Sequence, residues 1–270
     1  MAISKVILDF DGTLTDTQAE SAPMIEKWQT LICDTTYMPL EHLLSQIPVA
    51  KEQILADKKA GWKSNGVVVA PASSDPYVFH TSILQNILEA FYLLYEIPRP
   101  GVELEQFMQK TFMESYGHAI TVFRPGAKEF LQHCVQNYDT RIVTNSKTDA
   151  VVRKLESIGM PDVPVIGQAK KYVVDHAFDR VPEKIELPSF PRPVYLRRKQ
   201  YFDILAQFDP KTTAVVGDIF ELDLALPEHL HFRTMQLETT YTPTYEKQRH
   251  SSGEKTQLAT SYDDLIRKLN

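Results

Sequence analysis

The chain has 270 residues, of which 43% are hydrophobic and 24% are charged, a globular composition that excludes a disordered or collagen-like protein. Its formal net charge is −6, and binding to a nucleic-acid backbone needs a basic face, so we expect no nucleic-acid partner. The two cysteines, Cys33 and Cys134, are too few for a disulfide framework. The first residues lack the apolar run of a signal peptide, and no segment has the length of a membrane span. We therefore expect a cytoplasmic protein without membrane contact.

Short apolar runs without polar alternation predict the buried strands of a parallel sheet. These runs are 6–8, 141–143, 163–166, 214–216 and, more weakly, 231–237. Between them, apolar residues recur at helical spacing, for example over 127–138 and 201–208. A last helix is expected over 262–269, with Ser261 as its N-cap. Strands that alternate with helices predict a doubly wound α/β sheet.

The stretch 17–123 differs because its apolar residues follow helical spacing and only one run, 67–69, looks like a strand. We expect a mainly helical domain inserted after the first strand. The division is then an α/β core of 1–16 and 124–270 around an insert of 17–123. Within the core, the runs 171–174 and 194–196 could be strands of a hairpin-like extension, and 239–257 is expected to be a long exposed loop.

Two carboxylates, Asp9 and Asp11, follow the first predicted strand. Open α/β sheets bind ligands at the carboxyl ends of their strands, and Gly12 permits the bend that lets both side chains converge. Since two converging carboxylates repel each other, a divalent cation would stabilise them. A calcium loop of the EF-hand type would need glycine at the sixth position, where this chain has Leu14. A plain turn formed by two aspartates is the simpler alternative.

Three further polar groups stand at predicted strand ends or just before a helix. Thr144-Asn145-Ser146 opens a helix, where hydroxyl and backbone N–H groups can bind phosphate, although these residues are also common N-caps. Asp218 and Asp223 follow the strand at 214–216, where a turn is the alternative. The basic run 197–199 precedes a core helix and either supplies a cation to the site or is a solvated surface cluster.

In this order, the segments DFDGTLTD, TNS, a basic residue and GDIFELD resemble the motifs of the haloacid dehalogenase superfamily of phosphohydrolases. The resemblance covers roughly 1–16 and 124–225, while the insert matches no subfamily cap. It implies a doubly wound α/β core with a helical cap that selects the leaving group. It also implies Mg²⁺-dependent hydrolysis of a small phosphorylated metabolite through an aspartyl-phosphate intermediate.

The resemblance assigns a role to each matched residue. Asp9 would attack phosphorus, and Asp11 would protonate the leaving oxygen and then accept a proton from water. Mg²⁺ would be held by the carboxylates of Asp9 and Asp218 and by the backbone carbonyl of Asp11. The remaining expected contacts are Asp223 as a second acidic partner of the metal, and Thr144 with the backbone N–H of Asn145 on the phosphate oxygens.

The phosphate-binding cation is harder to place, because the lysine-proline pair that usually opens the last core helix in this family is absent. Lys199 is the first choice because it opens the predicted helix, Arg197 is the second, and Lys184 is a distant third. Two other activities stay open, namely a phosphotransferase such as a phosphosugar mutase and a catalytically silent binding protein. Asp11 argues against dehalogenation, because a halide leaves without a proton and dehalogenases of this group lack the second aspartate.

Overall fold

The computed structural model describes residues 2–57, 59–94, 104–251 and 255–270. The chain divides into two compact units. The first contains the residues up to Asp16 together with 61–71 and 123–270, and the second contains 17–60 and 72–122. The expected insert of 17–123 is thus interrupted, because its segment 61–71 belongs to the first unit.

The elements of both units are given together, and helices and strands alternate through most of the first unit. In chain order the elements are β1 (Lys5–Leu8), α1 (Thr17–Thr36), α2 (Leu40–Ala56), β2 (Gly61–Ser64), β3 (Val67–Pro71), α3 (Pro76–Leu94), α4 (Leu104–Tyr116), α5 (Ala127–Asn137), β4 (Asp139–Val143), α6 (Thr148–Ser157), β5 (Val165–Ile166), β6 (Lys184–Ile185), β7 (Val194–Tyr195), α7 (Lys199–Leu205), β8 (Thr213–Gly217), a π-helical turn (Phe220–Leu224), α8 (Ala225–His229), β9 (Arg233–Leu237), α9 (Thr244–Ser251), β10 (Gln257–Ala259) and α10 (Tyr262–Leu269).

The first unit is built on a six-stranded sheet in the order β10-β9-β8-β1-β4-β5, in which every pairing is parallel. Successive strand side chains point to opposite faces, so Val6 and Leu8 join one buried apolar cluster and Ile7 joins another. Burial on both faces explains why the sequence of β1 lacks polar alternation. The expected doubly wound α/β core is confirmed, with β1 at its centre.

The second unit consists of α1 to α4, as the helical spacing of the insert predicts. Its core forms around the fully buried Trp28, whose indole N–H donates to Thr111 Oγ1 at 2.8 Å. That bond satisfies the one polar atom of a large buried ring. Among the helices in the described part of the chain, none has both the length and the apolar character needed to span a bilayer.

The segment 61–71 is a β-hairpin of β2 and β3 that packs on the α/β core. Asn65 and Gly66 form its two-residue turn with φ of 48° and 79°, the conformation that Asn-Gly pairs favour between antiparallel strands. The fully buried Arg198 fixes the hairpin, because its guanidinium donates to the carbonyls of Val69 at 3.2 Å and Leu222 at 3.1 Å. A strand in this region was expected from 67–69, but its membership of the core depends on these distant contacts.

Two local expectations for the core are wrong. The run 171–174 is not a strand, and β7 pairs instead with β6. The segment 239–257, of which 252–254 lie outside the described residues, is not simply an exposed loop, because it contains α9 and the start of β10. On α9 the buried Arg249 makes two bonds to Glu228, at 2.6 and 3.1 Å. A polar helix buried through ion pairs has no apolar periodicity for the sequence to reveal.

The last helix agrees with its prediction. The Ser261 side chain accepts a hydrogen bond from the backbone N–H of Asp264 at 3.2 Å, as an N-cap should.

Candidate active site

Three buried carboxylates meet at the carboxyl ends of the two central strands. Asp9 follows β1, Asp218 follows β8, and Asp223 lies in the π-helical turn after β8. Each offers one oxygen atom, and these oxygens all lie within 4.8 Å of one another. The three residues are between 2% and 7% exposed, so water screens the mutual repulsion of their carboxylates only weakly. Asp9 therefore converges with Asp218 and Asp223 and not, as expected, with the carboxylate of Asp11. We call Asp9, Asp218 and Asp223 the acidic triad.

Lys171, which was not among the expected cations, neutralises part of this triad. Lys171 Nζ lies 2.7 Å from Asp9 Oδ1 and 2.9 Å from Asp223 Oδ1, and the side chain is 1% exposed. The first choice, Lys199, lies elsewhere, because its Nζ pairs with Asp203 at 2.7 Å and its side chain is 56% exposed. The structure therefore places Lys171, and not the expected Lys199, at the acidic triad.

The alternative cations do not reach the triad either. The guanidinium of Arg197 donates to the backbone carbonyls of His176 at 2.8 Å and Val181 at 3.3 Å. Lys184 lies exposed in β6. Within the basic run 197–199, Lys199 is thus exposed, as the surface alternative predicts, whereas Arg198 is buried against the hairpin of β2 and β3.

Lys171 reaches Asp9 because the loop after β5 is tied to the loop after β4. The backbone N–H of Ala169 donates to the Thr144 carbonyl at 2.8 Å, and that of Lys171 donates to Asn145 Oδ1 at 2.7 Å. Asn145, expected to contact phosphate through its backbone, thus uses its side chain to position the lysine loop. The available sequence signal was that Lys171 stands just beyond a predicted strand, 163–166, at the same edge of the sheet.

Hydroxyl groups hold the carboxylate oxygens of the triad. Thr13 Oγ1 lies 3.2 Å from Asp9 Oδ2 and 3.0 Å from Asp218 Oδ1, and Tyr241 Oη donates to Asp218 Oδ2 at 2.8 Å. Gly12 makes room for this arrangement with φ of 87°, and a Cβ placed there would lie 2.3 Å from Asp218 Oδ2. The bend at Gly12 is predictable from the sequence, whereas the contacts of Thr13 and Tyr241 were not predicted.

Asp11 lies beside the triad with its carboxylate turned towards the end of β4. Its Oδ2 accepts hydrogen bonds from Thr144 Oγ1 at 3.0 Å and Ser146 Oγ at 2.7 Å, and its side chain is 32% exposed. Thr144, expected to contact phosphate, therefore uses its hydroxyl to orient Asp11 in this structure. Lys154 Nζ is 4.0 Å from Asp11 Oδ1 and adds a second, weaker constraint.

The charges of the site perturb one another strongly. Burial and the Asp223 charge raise the pKa of Asp9 well above its usual range, and the same two causes raise the pKa of Asp218 to about 7. Burial by itself would lower the pKa of Lys171, but Asp223 and Asp9 outweigh it and raise that pKa. The single ammonium group of Lys171 therefore does not balance the charge of the three carboxylates.

The acidic triad fits a small divalent cation. Hard cations such as Mg²⁺ prefer oxygen ligands, and the triad supplies three carboxylates from different backbone positions within one buried site. A bound cation would also relieve the repulsion that raises the pKa values of Asp9 and Asp218. The carboxylate of Asp11 is not part of this set, which leaves its backbone carbonyl as the ligand expected from the sequence.

A buried polar network contacts the backbone of Asp218. Gln236 Nε2 donates to the Asp218 carbonyl at 2.9 Å and to Glu246 Oε2 at 2.6 Å. Glu246 faces a second buried glutamate, Glu221, which pairs with Arg192 at 2.5 Å. Burial and the Glu221 charge raise the pKa of Glu246 to about 8. The network thus holds the backbone carbonyl of Asp218, while Thr13 and Tyr241 hold its carboxylate.

Comparison with known proteins agrees with this architecture. A family model described as haloacid dehalogenase-like hydrolase matches residues 3–226. No curated protein resembles the chain closely enough to count as a match.

Several solved structures share the fold at low sequence identity. One of them is YfnB from Bacillus subtilis, which is described as a haloacid dehalogenase (HAD) hydrolase and was solved bound to magnesium. It is 17% identical to this chain with a TM-score of 0.58, and the alignment covers 100% of both chains. A predicted phosphoglycolate phosphatase from Haemophilus somnus is 16% identical with a TM-score of 0.55, covering 99% of this chain and 98% of that one. A HAD-like family protein from Streptococcus pneumoniae is 11% identical with a TM-score of 0.53, covering 99% of each chain. At such identities the likeness concerns the fold.

Proposed function

The chain belongs to the haloacid dehalogenase-like hydrolases, and within that family we propose that it is a Mg²⁺-dependent phosphatase acting on a small phosphorylated metabolite. The observation that carries the proposal is the pairing of buried Asp9 with Lys171 beside Asp218 and Asp223. Phosphoryl transfer needs a nucleophile, a cation for the equatorial oxygens and a metal-binding set, and these residues can supply all three.

Asp9 is the proposed nucleophile. Lys171 and Thr13 hold its two carboxylate oxygens, so the group is fixed before the substrate arrives. Attack of one oxygen on phosphorus forms an aspartyl-phosphate, and the bond from phosphorus to the leaving oxygen breaks. Hydrolysis of the intermediate returns the free Asp9 carboxylate and releases phosphate.

Asp11 is the proposed acid and base. Thr144 and Ser146 orient its carboxylate next to Asp9, and its partial exposure lets it exchange protons with water. It protonates the leaving oxygen in the first step and takes a proton from the attacking water in the second. An alcohol leaving group needs that proton and a halide does not, which favours a phosphate ester over a halogenated substrate.

Lys171 is the proposed cation for the transferring phosphoryl group, because it is the ammonium in direct contact with the nucleophile. Its charge also favours the ionised form of Asp9, against the burial and the Asp223 charge that raise the pKa of that carboxyl group. Asp9, Asp218 and Asp223 would hold Mg²⁺, with the Asp11 carbonyl as a further ligand. When bound, the metal ion neutralises phosphate charge and aligns the ester for in-line attack.

The proposal is tested by measuring phosphate release from a panel of phosphorylated metabolites with Mg²⁺ and with EDTA. We expect release only with Mg²⁺, and a loss of at least about a hundredfold in Asp9→Asn. Asp203→Asn is the matched control, because it makes the same chemical change at an exposed carboxylate that pairs with Lys199. Brief incubation with labelled substrate should also leave label on the wild-type protein and none on Asp9→Asn.

Two results would contradict the proposal. Residual activity above a hundredth of wild type in Asp9→Asn would remove Asp9 as the nucleophile. Transfer of label to a second sugar hydroxyl without phosphate release would favour a phosphosugar mutase instead.

A further inference from the structure

Tyr241 brings a phenol from outside the recognised motifs into the acidic triad. It lies beyond β9, and its Oη donates to Asp218 Oδ2 at 2.8 Å. The same oxygen would be 2.7 Å from a Cβ at Gly12, so it lies directly over the turn that carries Asp9 and Asp11. A phenol at this distance is a strong, charge-assisted donor to a carboxylate.

Asp218 depends on this phenol because its other donor is shared. Thr13 Oγ1 lies within bonding distance of both Asp218 Oδ1 and Asp9 Oδ2, at 3.0 and 3.2 Å. A threonine hydroxyl carries one proton and cannot serve two carboxylates fully at the same time. Tyr241 is therefore the donor that holds the second carboxylate oxygen of Asp218, Oδ2.

The segment that carries Tyr241 is held firmly. The backbone N–H of Thr239 donates to Thr242 Oγ1 at 2.9 Å, and the two threonine hydroxyls lie 3.1 Å apart. Both threonines are buried, and the next residue back, Glu238, donates its N–H to the Ala259 carbonyl at 2.8 Å. The turn therefore presents the phenol from a fixed position at the edge of the sheet.

We propose that Tyr241 is a positioning residue that fixes the Asp218 carboxylate for a divalent cation and so sets the affinity of the site for that cation. This inference rests on the metal-binding part of the proposed function and is independent of which phosphate ester is hydrolysed. Partners that orient metal ligands commonly change metal affinity by 10- to 100-fold when they are removed. Tyr241 acts through Asp218 and needs no contact with the substrate.

The test measures Mn²⁺ binding to the full chain by electron paramagnetic resonance, with Tyr241→Phe compared with wild type. The variant removes one oxygen and keeps the ring, and we expect its Kd for Mn²⁺ to rise at least about tenfold. In phosphate release, the Mg²⁺ concentration for half activity should rise by a similar factor. The kcat at saturating Mg²⁺ and the KM for the ester should stay within about twofold of wild type. A residue with a merely structural role would not give this selective change.

Tyr245→Phe is the matched control. Its phenol donates to Glu221 at 3.3 Å, outside the acidic triad, so its Mn²⁺ affinity should equal that of wild type. The metal-induced rise in melting temperature gives a second measure on the same samples, and it should be smaller in Tyr241→Phe.

Unchanged Mn²⁺ affinity in Tyr241→Phe would overturn the inference. Failure of the wild-type protein to bind Mn²⁺ would overturn it together with the metal part of the proposed function. Metal binding without phosphate release from any ester would overturn the proposed phosphatase activity alone.

Discussion

Replacing Glu246 with glutamine removes a carboxyl group whose titration couples protein stability to pH. Glu246 is 1% exposed, and burial followed by the Glu221 charge raises its pKa from 4.5 to about 8. Gln236 donates to its Oε2, while the buried Oε1 has no partner among the described residues. Glutamine has nearly the shape of the protonated acid and keeps an oxygen acceptor for Gln236, so the variant should imitate the neutral form.

The direction in which stability changes with pH follows from proton binding to Glu246. Between pH 4.5 and about 8 the folded protein holds a proton on Glu246 that the unfolded chain has released. The contribution of Glu246 to the free energy of unfolding is therefore fully present below pH 4.5 and decreases as the pH rises towards 8. One unit of pH in this window is worth about 1.4 kcal/mol, so from pH 6 to pH 8.5 the wild type should lose about 2–3 kcal/mol relative to Glu246→Gln.

Urea unfolding of both proteins at pH 6, 7, 8 and 8.5 measures this difference. We expect the free energy of unfolding of Glu246→Gln, relative to wild type, to increase steadily with pH. Glu238→Gln is the control, because it removes the same charge from a half-exposed ion pair with Lys247 and should give a nearly constant difference. A constant difference for Glu246→Gln as well would refute the reasoning, because Glu246 would then titrate alike in the folded and unfolded chains.

Two further predictions concern the site itself. Lys171→Met should lower kcat/KM for phosphate release by at least about a hundredfold, because Lys171 contacts two buried carboxylates. Lys199→Met should stay near wild type, because Lys199 pairs with an exposed carboxylate. Equal losses in the two variants would contradict the assignment of Lys171 as the cation of the site. Gly12→Ala should destabilise the chain by more than about 1 kcal/mol and abolish activity, because the new Cβ would lie 2.3 Å from Asp218 Oδ2. Gly66→Ala should reduce stability alone, because Gly66 has a similar φ but open space around it. Unfolding and activity assays of both variants check this prediction.

The sequence by itself determined that Asp9 and Asp218 follow buried strands, although the convergence that it predicted was that of Asp9 with Asp11. Asp9 and Asp218 each follow an apolar run, and runs buried on both faces predict parallel strands whose carboxyl ends share one edge. The inserted helices and the N-cap at Ser261 were also predictable, because periodicity and capping are local properties of the chain. No distant contact was needed for any of these inferences.

Only the tertiary structure decided which cation faces Asp9 and which segments are buried around it. Lys171 is separated from Asp9 by 162 positions, and the sequence favoured Lys199 and then Arg197 instead. The hairpin 61–71 and the polar helix α9 likewise join the core through Arg198 and through Arg249, which bond to groups far away in sequence. Ion pairs and buried hydrogen bonds are made between distant residues, so apolar periodicity along the chain does not record them.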